Sequence, residues 1–298
     1  MSGKNLQKDG YVICESDVDA IGLEEFRKTA STLLDHVGVE KHDGVRLPYA
    51  FKVAPATIHV FDIFRGLKDQ VSTALGCTDW VLTGHCDLHK NALSGWHRDD
   101  GSSYGDGGYF GASPLDYSTV DLGVFKVAVY LQEHESFEDG LTLEPGSHLR
   151  DSRDITKVQY IPSKLGQIII FDQRLFHTGQ IARLPKALTD KGQNILSKVP
   201  DISIDDNGSV VKYSSRSEEK FRALRGERMS VFFTVRRNHD DKNHPAVIFE
   251  RNNMKRQIME LASTARATFT PSKQITSVMH ERAEFRGLSY SKYCDQEN

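Results

Sequence analysis

Gly95-Trp96-His97-Arg98-Asp99-Asp100 and Phe171-Asp172-Gln173-Arg174-Leu175-Phe176-His177 are the two stretches on which the reading of this chain turns. If the first is extended, successive side chains alternate faces, so His97 and Asp99 point the same way. An imidazole nitrogen and a carboxylate oxygen then converge on one point. His177 lies 80 residues beyond His97, after the apolar run Gln167-Ile-Ile-Ile-Phe171, and can supply a third ligand from across a sheet. Two imidazoles and one carboxylate on one face of a metal leave the opposite positions open. That suits Fe(II) when it must also hold a cosubstrate and O2. A bare His-x-Asp is common by chance, so its weight comes from the surrounding chain.

The chain has 298 residues, 27% of them charged, with a net charge of −3. It is long enough to bury a large core, and ordinary in length for one β-barrel or sandwich domain with helical additions. The near-neutral balance gives no electrostatic footprint for nucleic acid or for an anionic membrane surface. Four cysteines, Cys14, Cys77, Cys86 and Cys294, form no Cys-x-x-Cys. That is no disulfide scaffold, so a reducing, cytoplasmic setting is expected. The stretch from Met1 to Gly10 is polar, with no apolar signal segment, and there is no run of about 18 apolar residues. No internal repeat is visible.

In chain order, Gly10-Tyr-Val-Ile-Cys14 reads as a short strand. Ser16 to His36 reads as a helix with Leu23, Phe26, Ala30, Leu33 and Leu34 at helical spacing. Lys41 to Pro48 reads as a loop. Ala56 to Leu75 reads as a second helix, striped by Val60, Ile63, Phe64, Leu67, Val71, Ala74 and Leu75 and ended by Gly76. From Trp80 the period shifts toward two. The strand Trp80 to Lys90 carries a rival trio, His85, Asp87 and His89, on one face. Three ligands in a row on one strand crowd and do not easily take facial geometry, so the trio reads as a polar strand face that can line the same cavity. Gly101 to Ser113 is glycine-rich without the end of a phosphate loop, and reads as a lid or an ordinary surface loop.

Val124 to Leu131 and Gln167 to Phe171 read as strands. Gly140-Leu-Thr-Leu-Glu-Pro-Gly-Ser-His148 lies between them. Pro185 to Arg225 is polar and reads as an insertion. On the strand Arg228 to Val235, Arg228, Ser230, Phe232 and Thr234 share one face; Met229, Val231, Phe233 and Val235 share the other. An arginine and a serine two apart make a carboxylate grip, because the guanidinium fork matches two oxygens. Ala246 to Ser263 reads as a helix with Ile248, Met254, Ile258 and Leu261 inward.

Three blocks in order, Gly95-Trp-His-Arg-Asp99, Gly140-Leu-x-x-x-Pro-Gly-Ser-His148 and Gly166-Gln-Ile-Ile-Ile-Phe-Asp172-x-x-x-x-His177, resemble the phytanoyl-CoA dioxygenase family. These are Fe(II)/2-oxoglutarate oxygenases. The resemblance covers roughly residues 10 to 240. It implies a mainly β fold, a double-stranded β-helix (cupin-like jelly roll), with N-terminal and C-terminal helices packed on it. It also implies one domain over 1–298: a helical cover at 1–78, a jelly-roll core at 79–240 with an insertion at 185–225, and a helical extension at 241–298. The implied metal ligands are His97, Asp99 and His177, and the implied cofactors are Fe(II), 2-oxoglutarate as cosubstrate, and O2. The family's 2-oxoglutarate arginine opens the strand after the distal histidine, about ten residues on. Here Arg183 is early and Arg228 is 51 residues on. Arg228, with Ser230, is the better match because it opens a strand and the insertion accounts for the gap; Arg183 is the runner-up. His148 belongs to a structural turn rather than to the ligand set. Related halogenases carry a small residue where Asp99 stands, so hydroxylation or another oxidation is expected.

The expected partner is a small-molecule metabolite, with no nucleic acid and no membrane. Arg98, Asp100, Tyr104 and Tyr109 flank the ligands as candidate substrate contacts. Two other readings stay open: a peptide side-chain hydroxylase of the same fold, and a non-catalytic cupin-like binding protein.

Overall fold

The computed structural model describes residues 5–41, 44–92, 94, 96–101, 108–110, 122–133, 140–151, 159–161, 164–179, 203–204, 210–212, 227–263, 284 and 286–291. The chain opens with β1 (Tyr11–Glu15), β2 (Asp17–Val18) and α1 (Ala20–Val37), then β3 (Val39–Lys41) and β4 (Gly44–Leu47). Short helical turns follow, α2 (Ala50–Val53) and α3 (Val60–Ile63), then β5 (Phe64–Arg65) and α4 (Leu67–Leu75). The β core comprises β6 (Trp80–Lys90), β7 (Val124–Tyr130), β8 (Leu141–Leu143), β9 (Gln159–Ile161), β10 (Gln167–Asp172) and β11 (His177–Thr178). A small pair, β12 (Ser203–Ile204) and β13 (Val210–Lys212), precedes β14 (Met229–Arg237) and α5 (Pro245–Ser263).

Seven strands form an antiparallel sheet in the order β1-β10-β7-β14-β6-β4-β3, and three form a second in the order β11-β8-β9. A backbone bridge between His97 and His177 adds the His97 segment to the edge of the second sheet. Numbered along the chain from β6, the eight core segments run 1-8-3-6 in one sheet and 2-7-4-5 in the other. That is the double-stranded β-helix, a jelly roll closed by two facing sheets.

Period-two alternation builds both cores. On β7, Val127 and Val129 face the helices while Ala128 and Tyr130 face the small sheet; on β10, Ile168 and Ile170 face the helices while Ile169 and Phe171 face inward. Leu141, Leu143 and Ile161 of the small sheet complete the inner cluster. Each buried Ile or Phe contributes about 1.5–3 kcal/mol. A one-residue slip of β10 would turn its inward set out, so the register is held from both faces.

Three expectations need correction. The helix expected over Ala56–Leu75 is broken: Phe64 and Arg65 pair with β2, and Gly66 takes φ +78° before α4 starts. Glycine supplies that left-handed turn without a Cβ clash. The stripe survives the break, because Val60, Ile63, Phe64, Leu67, Val71 and Leu75 are all buried. The loop expected over Lys41–Pro48 is instead largely the β3–β4 hairpin, which extends the large sheet through Arg46↔His89 and Leu47↔Leu88.

The third correction concerns α5. Met254 is buried as expected, but Ile258 is 36% exposed and Ile248 only half-buried; Leu261 lies among side chains outside the description. The covered face is Ala246, Val247, Phe249, Glu250, Asn253, Met254 and Gln257. Apolar spacing misjudged this face because three of its seven buried residues, Glu250, Asn253 and Gln257, are polar. Glu250 accepts from Arg236 Nε at 2.7 Å and from Ser291 Oγ at 2.8 Å. Glycine at 84 allows α5 to approach β6, since a Cβ there would lie 2.0 Å from Met254 Sδ. Among the described residues, no helix is long and apolar enough to cross a membrane.

Candidate metal centre and its cavity

His97, Asp99 and His177 meet. Each offers one ligand atom, and these atoms lie within 4.8 Å of one another. His97 and His177 exchange backbone hydrogen bonds, N to O, at 2.9 and 3.0 Å, and their rings sit 4.3 Å apart. Two positions 80 residues apart in sequence are thereby fixed as neighbours in a ladder. Alternation does the rest on the first segment. Trp96 stacks on Phe176 at 5.5 Å and Arg98 lies over the same ring, so His97 and Asp99 turn the other way. The Asp99 N–H donates to Gln173 O at 2.9 Å.

On the second segment the turn from β10 to β11 is locked by Asp172. Its carboxylate accepts from the backbone N–H, Nε and Nη2 of Arg174, a bidentate grip in a dry environment. His177 Nδ1 lies 2.9 Å from Leu175 O. Donation there leaves the Nε2 lone pair pointing at the centre, the tautomer a metal requires.

The donor set fits a metal. Ligands about 2.1 Å from an ion and at right angles stand about 3 Å from each other. His177 Nε2 is 3.3 Å from Asp99 Oδ2, and His97 Nε2 is 3.5 Å from Oδ1. Lys126 Nζ donates to Asp99 Oδ2 at 2.7 Å. Burial alone would raise the Asp99 carboxyl, but the Lys126 ammonium and His177 hold it well below the ordinary carboxylate range. It is therefore ionised and ready to ligate. Lys126 escaped the sequence reading, though a signal was present: it shares the inward face of β7 with Ala128 and Tyr130.

A cavity of about 380 Å³ opens over this group and reaches Arg228. Arg228 is buried at the foot of β14. Its Nη1 donates to Ala92 O at 3.1 Å, its Nη2 to the Tyr130 hydroxyl at 3.2 Å, and its guanidinium lies over the Tyr130 ring. Two residues on, Ser230 Oγ is buried and meets no hydrogen-bond partner among the described residues. An arginine and a buried hydroxyl two residues apart on a strand are groups with the chemistry to grip a carboxylate. Arg183, the other candidate arginine, lies outside the described residues, as does Tyr104. The same holds for most of the expected insertion and of the Gly101–Ser113 lid.

His85, Asp87 and His89 line the cavity but do not form a ligand cluster among the described residues. Asp87 is already committed. It accepts from Arg46 Nη2 at 3.1 Å and Gln257 Nε2 at 2.9 Å, with His85 Nε2 3.3 Å away. Gln173 Nε2 donates to Thr234 Oγ1 at 3.0 Å, and Thr234 Oγ1 is 2.8 Å from His85 Nδ1. Each donor in this relay has one acceptor, so the chain of bonds ties Gln173, beside Asp99, to the far wall.

Burial depresses His89 to about 4, with Arg46 and Lys126 adding to the effect. Between about pH 6.5 and 4 the unfolded chain takes up a proton there that the folded chain refuses. Stability therefore falls as pH drops through that window. Chemical denaturation at several pH values is expected to give a shallower pH slope in His89→Gln than in the natural chain; equal slopes would refute the assignment.

His148 stands apart from the centre, buried against Gly10 with Nε2 3.1 Å from Gln7 O, in the turn held by Ser147 Oγ. Of the flanking candidates, Arg98 and Tyr109 line the cavity. Arg98 Nη2 also donates to Ser147 O and Arg150 O, while Asp100 is fully buried.

No family model matches the chain, and no curated protein matches it. Among solved structures it is similar to the non-haem α-ketoglutarate-dependent epimerase SnoN from nogalamycin biosynthesis, at 14% identity and TM-score 0.49 over 78% of this chain and 80% of that one. The carbocyclase SnoK from the same biosynthesis aligns at 13% identity and TM-score 0.48, over 78% and 81%. EctD from S. alaskensis, solved with bound Fe, aligns at 16% and 0.47, over 78% and 74%. The fold assignment rests on the strand order described above.

Proposed function

We propose that this chain is a non-haem Fe(II)- and 2-oxoglutarate-dependent dioxygenase, similar to the phytanoyl-CoA dioxygenase family. In this reading it hydroxylates or otherwise oxidises an unactivated C–H of a small metabolite and releases succinate and CO2. One observation carries the reading: a His-Asp-His set and a buried arginine, Arg228, open on one cavity.

His97, Asp99 and His177 would hold the metal, and the cavity over them would admit the cosubstrate and substrate. Arg228 would pair with the distal carboxylate of 2-oxoglutarate, and Ser230 Oγ would add a donor. Lys126 fixes the orientation of the Asp99 carboxylate. Trp96 and Phe176 pack behind the ligand segment and hold its facing. Bound iron, with 2-oxoglutarate and O2, supplies the oxidising power that no side chain here has.

The test is succinate formation from 2-oxoglutarate by purified protein with Fe(II) and a reductant. Turnover is expected, is lost on chelation and returns with Fe(II). Protein that neither binds 2-oxoglutarate nor forms succinate would overturn the assignment and favour a non-catalytic binding protein.

A further inference from the structure

The wall of the cavity formed by α5 carries hydrogen-bonding capacity that no described residue uses. Asn253 is 8% exposed and Gln257 2% exposed, and both line the cavity. They are four apart on the helix, so they stand one above the other on one face. Asn253 Oδ1 and Gln257 Oε1 are both buried and meet no donor among the described residues. The orientation of Gln257 is set by chemistry: its Nε2 donates to Asp87 Oδ1 at 2.9 Å, and an ionised carboxylate only accepts. The oxygen is thus forced to remain the unpartnered end. A third such atom, His89 Nε2, sits on β6 in the same wall, 3.8 Å from Asp87 Oδ2 and out of hydrogen-bond reach. Helix spacing, the Asp87 clamp and the His85–Thr234–Gln173 relay hold these groups in place before any ligand arrives.

Resting on the oxygenase reading, we propose that Asn253 and Gln257, with His89 beside them, are the substrate-recognition wall. They take a small polar molecule that presents N–H or O–H donors to two amide oxygens. The residues assigned to metal and cosubstrate leave these atoms unassigned. A cavity of about 380 Å³ must hold cosubstrate and substrate together. That volume sits at the low end for a single small ligand, so the part of the substrate enclosed is small. An acceptor pair left dry selects against a molecule that cannot donate, because such a molecule strands both oxygens.

The probes are matched pairs: primary amides, amino acids and polyols of about ten non-hydrogen atoms, each against its N,N-dimethyl or O-methyl counterpart. Binding is followed by ligand-observed NMR on protein loaded with Fe(II) and 2-oxoglutarate without oxygen, and stimulation by succinate release in air. At least one donor probe is expected to bind and stimulate, with its methylated partner about tenfold or more weaker. Asn253→Leu, which leaves the Asp87 clamp intact, is expected to erase that difference while 2-oxoglutarate binding is unchanged. Gln257→Met is the second variant. Donor probes that fail to bind protein still holding Fe(II) and 2-oxoglutarate overturn the proposal, as does equal binding of methylated partners. Donor-selective binding by protein that fails to take up Fe(II) or 2-oxoglutarate would support the wall and sink the oxygenase reading instead.

Discussion

Asp99→Ala is expected to abolish Fe(II) binding and succinate formation together. The variant keeps two imidazoles 4.3 Å apart but loses the only anion of the set. A neutral pair of histidines binds a divalent ion far more weakly than a pair completed by a carboxylate. The same change also strands Lys126, whose ammonium sits 2.7 Å from Asp99 in a side chain only 9% exposed. Removing one partner of a buried ion pair costs about 3–5 kcal/mol. Loss of activity alone would therefore confuse a missing ligand with a failing fold. The double variant Asp99→Ala/Lys126→Met separates them: its unfolding midpoint is expected to recover toward the natural value while iron binding stays absent. Thermal unfolding and iron titration on the same samples read out both. Succinate formation at the natural rate in Asp99→Ala would remove Asp99 from the ligand set.

Arg228→Ala is expected to raise the 2-oxoglutarate concentration needed for half-maximal turnover by on the order of a hundredfold, through loss of two charge-assisted bonds. Turnover at saturating cosubstrate should fall much less, since Arg228 is not among the proposed metal ligands. Arg228→Lys should recover only part, because an ammonium keeps the charge but not the fork. The contacts from Arg228 to Ala92 O and Gly140 O also brace the fold, so thermal unfolding must accompany the kinetics. Steady-state kinetics on Arg183→Ala supply the contrast. If that variant carries the cosubstrate effect and Arg228→Ala does not, the strand-opening arginine has been misassigned.

The triad positions were legible because both segments obey simple local rules. Alternation put His97 and Asp99 on one side, and the apolar run before Asp172 announced a buried strand ending near His177. The jelly roll was legible from period-two stretches together with the resemblance of three short blocks. What escaped was long-range. Spacing could not reveal that Phe64 and Arg65 would leave a helix to pair with β2, because their partners Val18 and Asp17 lie 46 and 48 residues back. Lys126 sat in plain view on an inward strand position, but its role depends on Asp99 arriving beside it. The inward face of α5 was misjudged for the opposite reason. Apolar periodicity picks out oil-facing helices, and this helix turns Asn253 and Gln257 toward a polar cavity instead. Spacing alone could not choose between Arg183 and Arg228, because Arg228 lies 51 residues past His177.

That separation does not loosen the placement of Arg228. Gly179 and Arg228, the two ends of the long excursion after β11, are both pinned to one short stretch: Gly179 N–H donates to Ser94 O, and Arg228 to Asn91 Oδ1 and Ala92 O. The exit and the return are thus set by the same few residues, whatever runs between them. Doubling the number of residues between two fixed chain ends costs only about 0.6 kcal/mol in closure entropy. The placement of Arg228 thus follows from Asn91 and Ala92 rather than from the number of residues between 179 and 227, which is how an arginine so far from His177 in sequence can face the same cavity.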